Sequence, residues 1–205
     1  MESTFPARRI VAGSIALIGT ATFALQIVLS TGKSGGLLAA LLVLSRFFTI
    51  LTNAAVTVAM VRIAAGWHAD RRVMLALVSA IAIVALVYHT VLAQLQTFTG
   101  LDAVTDFGFH TAIPALTVAW WLLFAERDLP WRDVVWVLPW PIVYCAVALV
   151  RGGVSGIYPY PFIDLPEIGP ATLVLNVIGL TLAFLVVGAA FIGMGRMLAT
   201  PRDRA

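Results

Sequence analysis

The chain has 205 residues, of which 61% are hydrophobic and 11% charged, with a formal net charge of +3. A soluble domain of this size carries roughly 25% charged residues to cover its surface, so the composition excludes an ordinary water-soluble globule. The positive charge does not point to nucleic acid, because the basic residues form no patch and stand between long apolar blocks.

Blocks near 20 residues match a hydrocarbon core about 30 Å thick at about 1.5 Å per helical residue. The expected fold is therefore all-α: one polytopic membrane domain, with six helices in a single bundle. In chain order, Arg8 and Arg9 precede an apolar run from Ile10 to Leu29. That run is too long for a signal peptide and ends in Ser30-Thr31-Gly32-Lys33 without a small-x-small cleavage site, so it reads as a retained span over 9–30. The second span is expected over 37–63, the third over 73–96 and the fourth over 104–125. The fifth, 133–150, is interrupted by Pro139 and Pro141, which predict a kink. The sixth covers 169–197. The loop before it, Gly152 to Asp164, is too rich in Gly and Pro for a regular helix. Its aromatics suit an interface, and it is expected to fold over the outer mouth of the bundle.

The Lys and Arg residues set an expected orientation. One side collects Arg8, Arg9, Arg62, Arg71, Arg72, Arg127, Arg132, Arg196, Arg202 and Arg204. The other has Lys33 and Arg151, and Arg46 lies inside the second block. This asymmetry predicts both termini in the cytoplasm. Cys145 is the single cysteine, so neither an internal disulfide nor a cysteine metal cluster is possible.

Polar residues inside a bilayer are costly and each needs an account. Counting from the inner edges puts Thr49 roughly 9 Å below the outer boundary, with His89 and His110 about 6 Å below it. Three helices thus bring polar groups to one depth in the outer half. Arg46, Thr49 and Asn53, spaced i, i+3, i+7, are expected on one helical face.

Each residue has a plain reading beside a chemical one. A membrane threonine commonly bonds its own i−4 carbonyl; as a nucleophile, Thr49 needs a base. His110 suits that role because imidazole titrates near working pH, although an interhelical structural bond is the alternative. Arg46 could hold an oxyanion or snorkel to headgroups. Asp102 and Asp106 could orient a histidine or cap the fourth helix. Together with His110 they lack a third firm metal ligand, so no metal is expected. The hydrolase elbow, the zinc-protease helix, the phosphate loop and the dinucleotide fingerprint are all absent from the sequence.

Three stretches occur in order: Arg46-Phe47-Phe48-Thr49-Ile50-Leu51-Thr52-Asn53, Phe109-His110-Thr111-Ala112-Ile113-Pro114 and Tyr158-Pro159-Tyr160-Pro161-Phe162-Ile163-Asp164. With the span count, they resemble the androgen-induced/androgen-dependent membrane protein family and its bacterial six-span relatives. Animal members are intramembrane threonine hydrolases of fatty acid esters of hydroxy fatty acids. The resemblance implies a bacterial plasma-membrane hydrolase of long-chain acyl esters, taking lipid substrate from the bilayer without a cofactor. Thr49 would be the nucleophile and His110 the base. Arg46, Asn53, His89 and Tyr160 are candidates to bind substrate or oxyanion, and Asp102, Asp106 and Asp164 to orient the histidine. Asp164 stands where animal forms carry Glu. The alternative is a non-catalytic membrane protein, such as a lipid-binding receptor, small transporter or assembly subunit, that uses the same polar pocket for binding.

Overall fold

Long aliphatic runs in lipid leave the backbone no partner but itself, so they fold as helices that satisfy their own N–H and C=O groups. The computed structural model describes residues 4–126 and 128–198; Arg127, Arg202 and Arg204 of the basic group lie outside the described residues. Helix α1 spans Thr4–Ser34, α2 Leu37–Leu44, α3 Phe48–Ala64 and α4 Arg71–Val87. Then come α5 Gly100–Phe107, α6 Ile113–Phe124, α7 Pro139–Ser155 and α8 Leu165–Leu198. Five helical segments are long and apolar enough to cross a membrane, and α2 with α3 makes a sixth if that pair is one broken span.

The second block departs from expectation. It is not one straight helix over 37–63: the chain turns by 97° between α2 and α3. No Gly or Pro lies at the bend, which is Ser45-Arg46-Phe47. Its stranded carbonyls are satisfied from α7 instead. The Tyr144 hydroxyl donates to the Arg46 carbonyl at 2.6 Å, and the Arg151 guanidinium to the carbonyls of Ser45 at 3.3 Å and Leu42 at 3.2 Å. Arg46 therefore stands in the bend, and the expected three-residue face shrinks to Thr49 and Asn53.

The fifth span also differs. A 3₁₀ turn, Trp131–Val137, leads into α7, and Pro139 is the first residue of that helix. At that position proline's missing N–H would have had no partner anyway, so the prolines start the helix and do not kink it. Helix α7 ends on Gly156 in the left-handed conformation.

Two helices carry a wide π turn, at Tyr88–Leu92 after α4 and at Gly108–Ala112 between α5 and α6. The second has a clear cause. Pro114 has no N–H to give to the carbonyl four residues back and its ring crowds that carbonyl; widening the preceding turn relieves the conflict. Such turns concentrate at functional sites.

The core holds Trp120, Trp121, Met60, Leu75, Val78, Ile81 and Ile113, all fully buried. Helix α4 lies at the centre, packed against α3, α6 and α8, whereas α7 touches α8 only sparsely. One end of the bundle gathers basic residues. There Arg9 donates to the Ala64 carbonyl, Arg71 to that of Asp128, and Arg72 pairs with buried Asp133 at 3.1 Å. The opposite end carries the Lys33–Asp102 ion pair and the loop over 156–164.

Candidate functional site

The bend before α3 decides the state of Thr49. Thr20, Thr22, Thr57, Thr90, Thr117 and Thr181 each donate to their own i−4 carbonyl. Thr49 does not. Its i−4 residue is Ser45, which lies outside the helix and whose carbonyl is taken by Arg151. The hydroxyl is thus free of its own helix, on a residue only 8% exposed. Thr49 also sits in the first turn of α3, where backbone N–H groups have no intrahelical acceptor and the helix dipole is positive.

The loop from the other side supplies the next group. The Tyr158 ring packs onto Gly152, where a Cβ would come within 2.2 Å of it. Asn176 on α8 donates to the Phe162 carbonyl at 2.9 Å, and the Tyr160 and Phe162 rings stack with centroids 5.1 Å apart. So held, Tyr160 brings its hydroxyl over the start of α3, where it accepts from the Thr49 N–H at 3.4 Å. Burial pushes its phenol up, against the pull of hydrogen bonds from Thr49 and Phe48, so the hydroxyl keeps its proton at neutral pH.

Asn53, one turn on and fully buried, ties α3 to the wide turn. Its Nδ2 donates to the Thr49 carbonyl at 2.8 Å and to the Phe109 carbonyl at 3.1 Å. The Phe109 carbonyl is open for a traceable reason. The Ile113 N–H bonds to Gly108 instead, and the next residue is Pro114. Both Nδ2 hydrogens of Asn53 are therefore engaged.

His110, next to Phe109, is held on one nitrogen only. Nδ1 lies 2.9 Å from Asp106 Oδ1 and 3.1 Å from the Asp106 carbonyl. Tyr88 stacks on the imidazole with centroids 3.7 Å apart and donates to Asp106 Oδ2 at 2.5 Å. Among the described residues Nε2 has no hydrogen-bond partner. A carboxylate on Nδ1 with Nε2 open is the arrangement by which an acid fixes the tautomer of a histidine base.

The structure thus forms two groups, Thr49 with Asn53 and Tyr160, and His110 with Asp106 and Tyr88, joined through the Asn53 side chain. Thr49 and His110 share no hydrogen bond. The other sequence candidates stand apart. His89 Nε2 lies 3.1 Å from Thr111 Oγ1 on an exposed stretch. Asp102 pairs with Lys33, and at Asp164 it is the backbone carbonyl that accepts from the Glu167 and Ile168 N–H groups at the start of α8. Arg46 faces a small cavity of about 110 Å³ on the far side of α7. Tyr88 and Tyr144 were not singled out from the sequence. The signal for Tyr88 was its place beside His89, a phenol inside an apolar block.

Thr49 and Tyr160 close the polar end of an apolar cavity of about 320 Å³, walled by α4, α7 and α8; His110 is not part of its lining. Among the described residues no three His, Cys, Asp or Glu side chains are grouped to hold a metal. No family model, curated protein or solved structure matches the chain.

Proposed function

We propose that the protein is an intramembrane hydrolase of long-chain acyl esters, with Thr49 as nucleophile and His110 as base, as its resemblance to the androgen-induced family implies. The chain would cross the membrane six times, with α2 and α3 as one broken span and both termini in the cytoplasm. The observation that carries this reading is the Thr49 hydroxyl. It is released from its own helix, on a buried residue that lines a cavity of a volume within the roughly 300–1,000 Å³ usual for small-molecule sites.

In the proposed reaction, His110 Nε2 takes the Thr49 proton, directly or through one water, as the hydroxyl oxygen attacks the ester carbonyl. The oxyanion lies against the Tyr160 O–H and the N–H groups of the first turn of α3, which have no intrahelical acceptor. Each such donor is typically worth about 10²–10³ in rate. Asn53 stays out of that hole, since its donors hold the two backbones together. The imidazolium returns the proton to the leaving alcohol, and the ester C–O bond breaks to leave acyl-threonine. A water, deprotonated by the same nitrogen, then releases the carboxylic acid and restores the hydroxyl. Asp106, itself held by Tyr88, keeps Nδ1 protonated throughout.

Purified protein assayed on fluorogenic acyl esters and on branched hydroxy-fatty-acid esters tests this. Thr49→Ala and His110→Ala should each lose at least about 10²-fold in turnover. Wild-type turnover in both variants removes the assignment.

A second reading, a lipid-binding protein without chemistry, is favoured by one fact: His110 lies outside the cavity lining. Saturable ester binding without turnover would select it.

A further inference from the structure

The cavity has a missing wall. Ile142, Cys145 and Leu149 on α7 and Val177, Leu180 and Phe184 on α8 all line it. Each set is spaced i, i+3, i+7, so each is one helical face. Two apolar faces turned toward each other should close into contact, yet α7 and α8 touch only sparsely.

Helix α7 is bonded on its other flank. Trp140 Nε1 donates to the Thr52 hydroxyl at 3.0 Å, Tyr144 to the Arg46 carbonyl and Arg151 to the Ser45 hydroxyl at 3.1 Å. Those bonds tie α7 to the α2–α3 bend. Rim residues such as Ile142 are 54% exposed, so the gap faces what surrounds the helices, which is hydrocarbon. An apolar gap of this kind does not attract water, and an aliphatic chain is complementary to it. The polar end presents donors, the Tyr160 hydroxyl and the first N–H groups of α3, and donors seat a carbonyl oxygen.

We infer that the gap between α7 and α8 is a lateral portal through which a single acyl chain enters from the bilayer, its carbonyl seated against Tyr160 and the first turn of α3. This deepens the hydrolase reading and shares its site, but it concerns binding alone.

Cys145, the only cysteine, is a half-buried wall residue of the portal and reports occupancy without mutation. The rate of its alkylation by N-ethylmaleimide is measured on the full chain in a steroid-based detergent, which has no linear chain to compete. Methyl palmitate at about ten times its dissociation constant should slow the reaction roughly tenfold, because only the unoccupied fraction reacts. Cholesterol should not slow it. The ratio of rates without and with ester is then taken in Ala146→Trp and Leu180→Trp, which fill the gap from either side. It should fall to one in both, while Val150→Trp, on an exposed part of α7 away from the cavity, should keep it.

No protection in the wild type, equal protection by cholesterol, or undiminished protection in the filled variants would overturn the portal. Protection without turnover would sink the hydrolase reading and leave the portal standing. Turnover without protection would do the reverse.

Discussion

Nδ1 of His110 lies 2.9 Å from Oδ1 of Asp106, one turn earlier on the same strand of helix, and Tyr88 from a neighbouring helix holds the other carboxylate oxygen. The wide turn that starts at Gly108 contains His110 and belongs to the same local geometry. If this carboxylate keeps the imidazole in its working tautomer, Asp106→Asn should lower ester turnover by about 10²–10⁴-fold with the fold intact, as loss of an orienting acid does. Tyr88→Phe keeps the stacked ring and loses only the hydrogen bond to the carboxylate. It should cost less, about 10- to 150-fold, the range set by losing one hydrogen bond to a charged group. Steady-state rates with thermal unfolding curves on the same samples check both.

Gly108 is where α1 and the wide turn meet. A Cβ there would lie 2.7 Å from Thr22 Cγ2 and 2.9 Å from Thr22 Oγ1. Gly108→Ala should therefore destabilise the protein by about 1–3 kcal/mol, the usual cost of overpacking. Adding Thr22→Ala removes both clashing atoms and should recover most of the loss, a non-additivity expected only of residues in contact. Unfolding of the two singles and the double in one detergent measures it.

At the basic end, the Asp133 side chain is 2% exposed, with Arg72 as its ion-pair partner. The guanidinium also lies over Trp136 at 5.4 Å. Arg72→Ala should destabilise the protein by leaving the buried Asp133 carboxylate without its partner, less than a fully buried pair would because Arg72 itself is 40% exposed. Arg72→Ala/Asp133→Ala should be more stable than Arg72→Ala alone. Chemical denaturation in mild detergent compares the two.

Asp70 caps α4 by accepting from the N–H groups of Arg72 and Val73. The Val73 N–H, ahead of other contributions, holds its carboxyl below the ordinary aspartate range. A carboxyl lowered in the folded state adds stability above its unfolded pKa and loses it as pH falls through the folded value. Asp70→Ala should thus cost about 1 kcal/mol at neutral pH. The difference from wild type should vanish on strong acidification, as melting curves across an acid pH series would record.

Much of this molecule is legible in one dimension. Apolar blocks of bilayer length dictate helices because lipid offers the backbone no other partner, and α1, α4 with its wide turn, the helix through His110, and α8 all fall where hydropathy puts them. The grouping of Arg8, Arg9, Arg71, Arg72 and Arg196 at one end was equally readable, since charges cannot lie within hydrocarbon. The sequence offered Asp102, Asp106 and Asp164 alike to orient the histidine, and the structure sets Asp106 against His110, where i and i+4 meet on one helical face.

The bend at Ser45–Phe47 was not legible, and it changes the site most. No residue there breaks a helix by itself. The break persists because Tyr144 and Arg151, about a hundred residues later, satisfy the carbonyls it strands. The same break frees the Thr49 hydroxyl from its helix, while the Tyr158 ring on Gly152 and the Asn176 bond to the Phe162 carbonyl place Tyr160 above it. Local sequence determined which segments are helical and which polar groups they carry. Only the tertiary structure decided which of those groups are released from their own helix, because a hydrogen bond made or withheld by a distant helix leaves no mark on its neighbours in the chain.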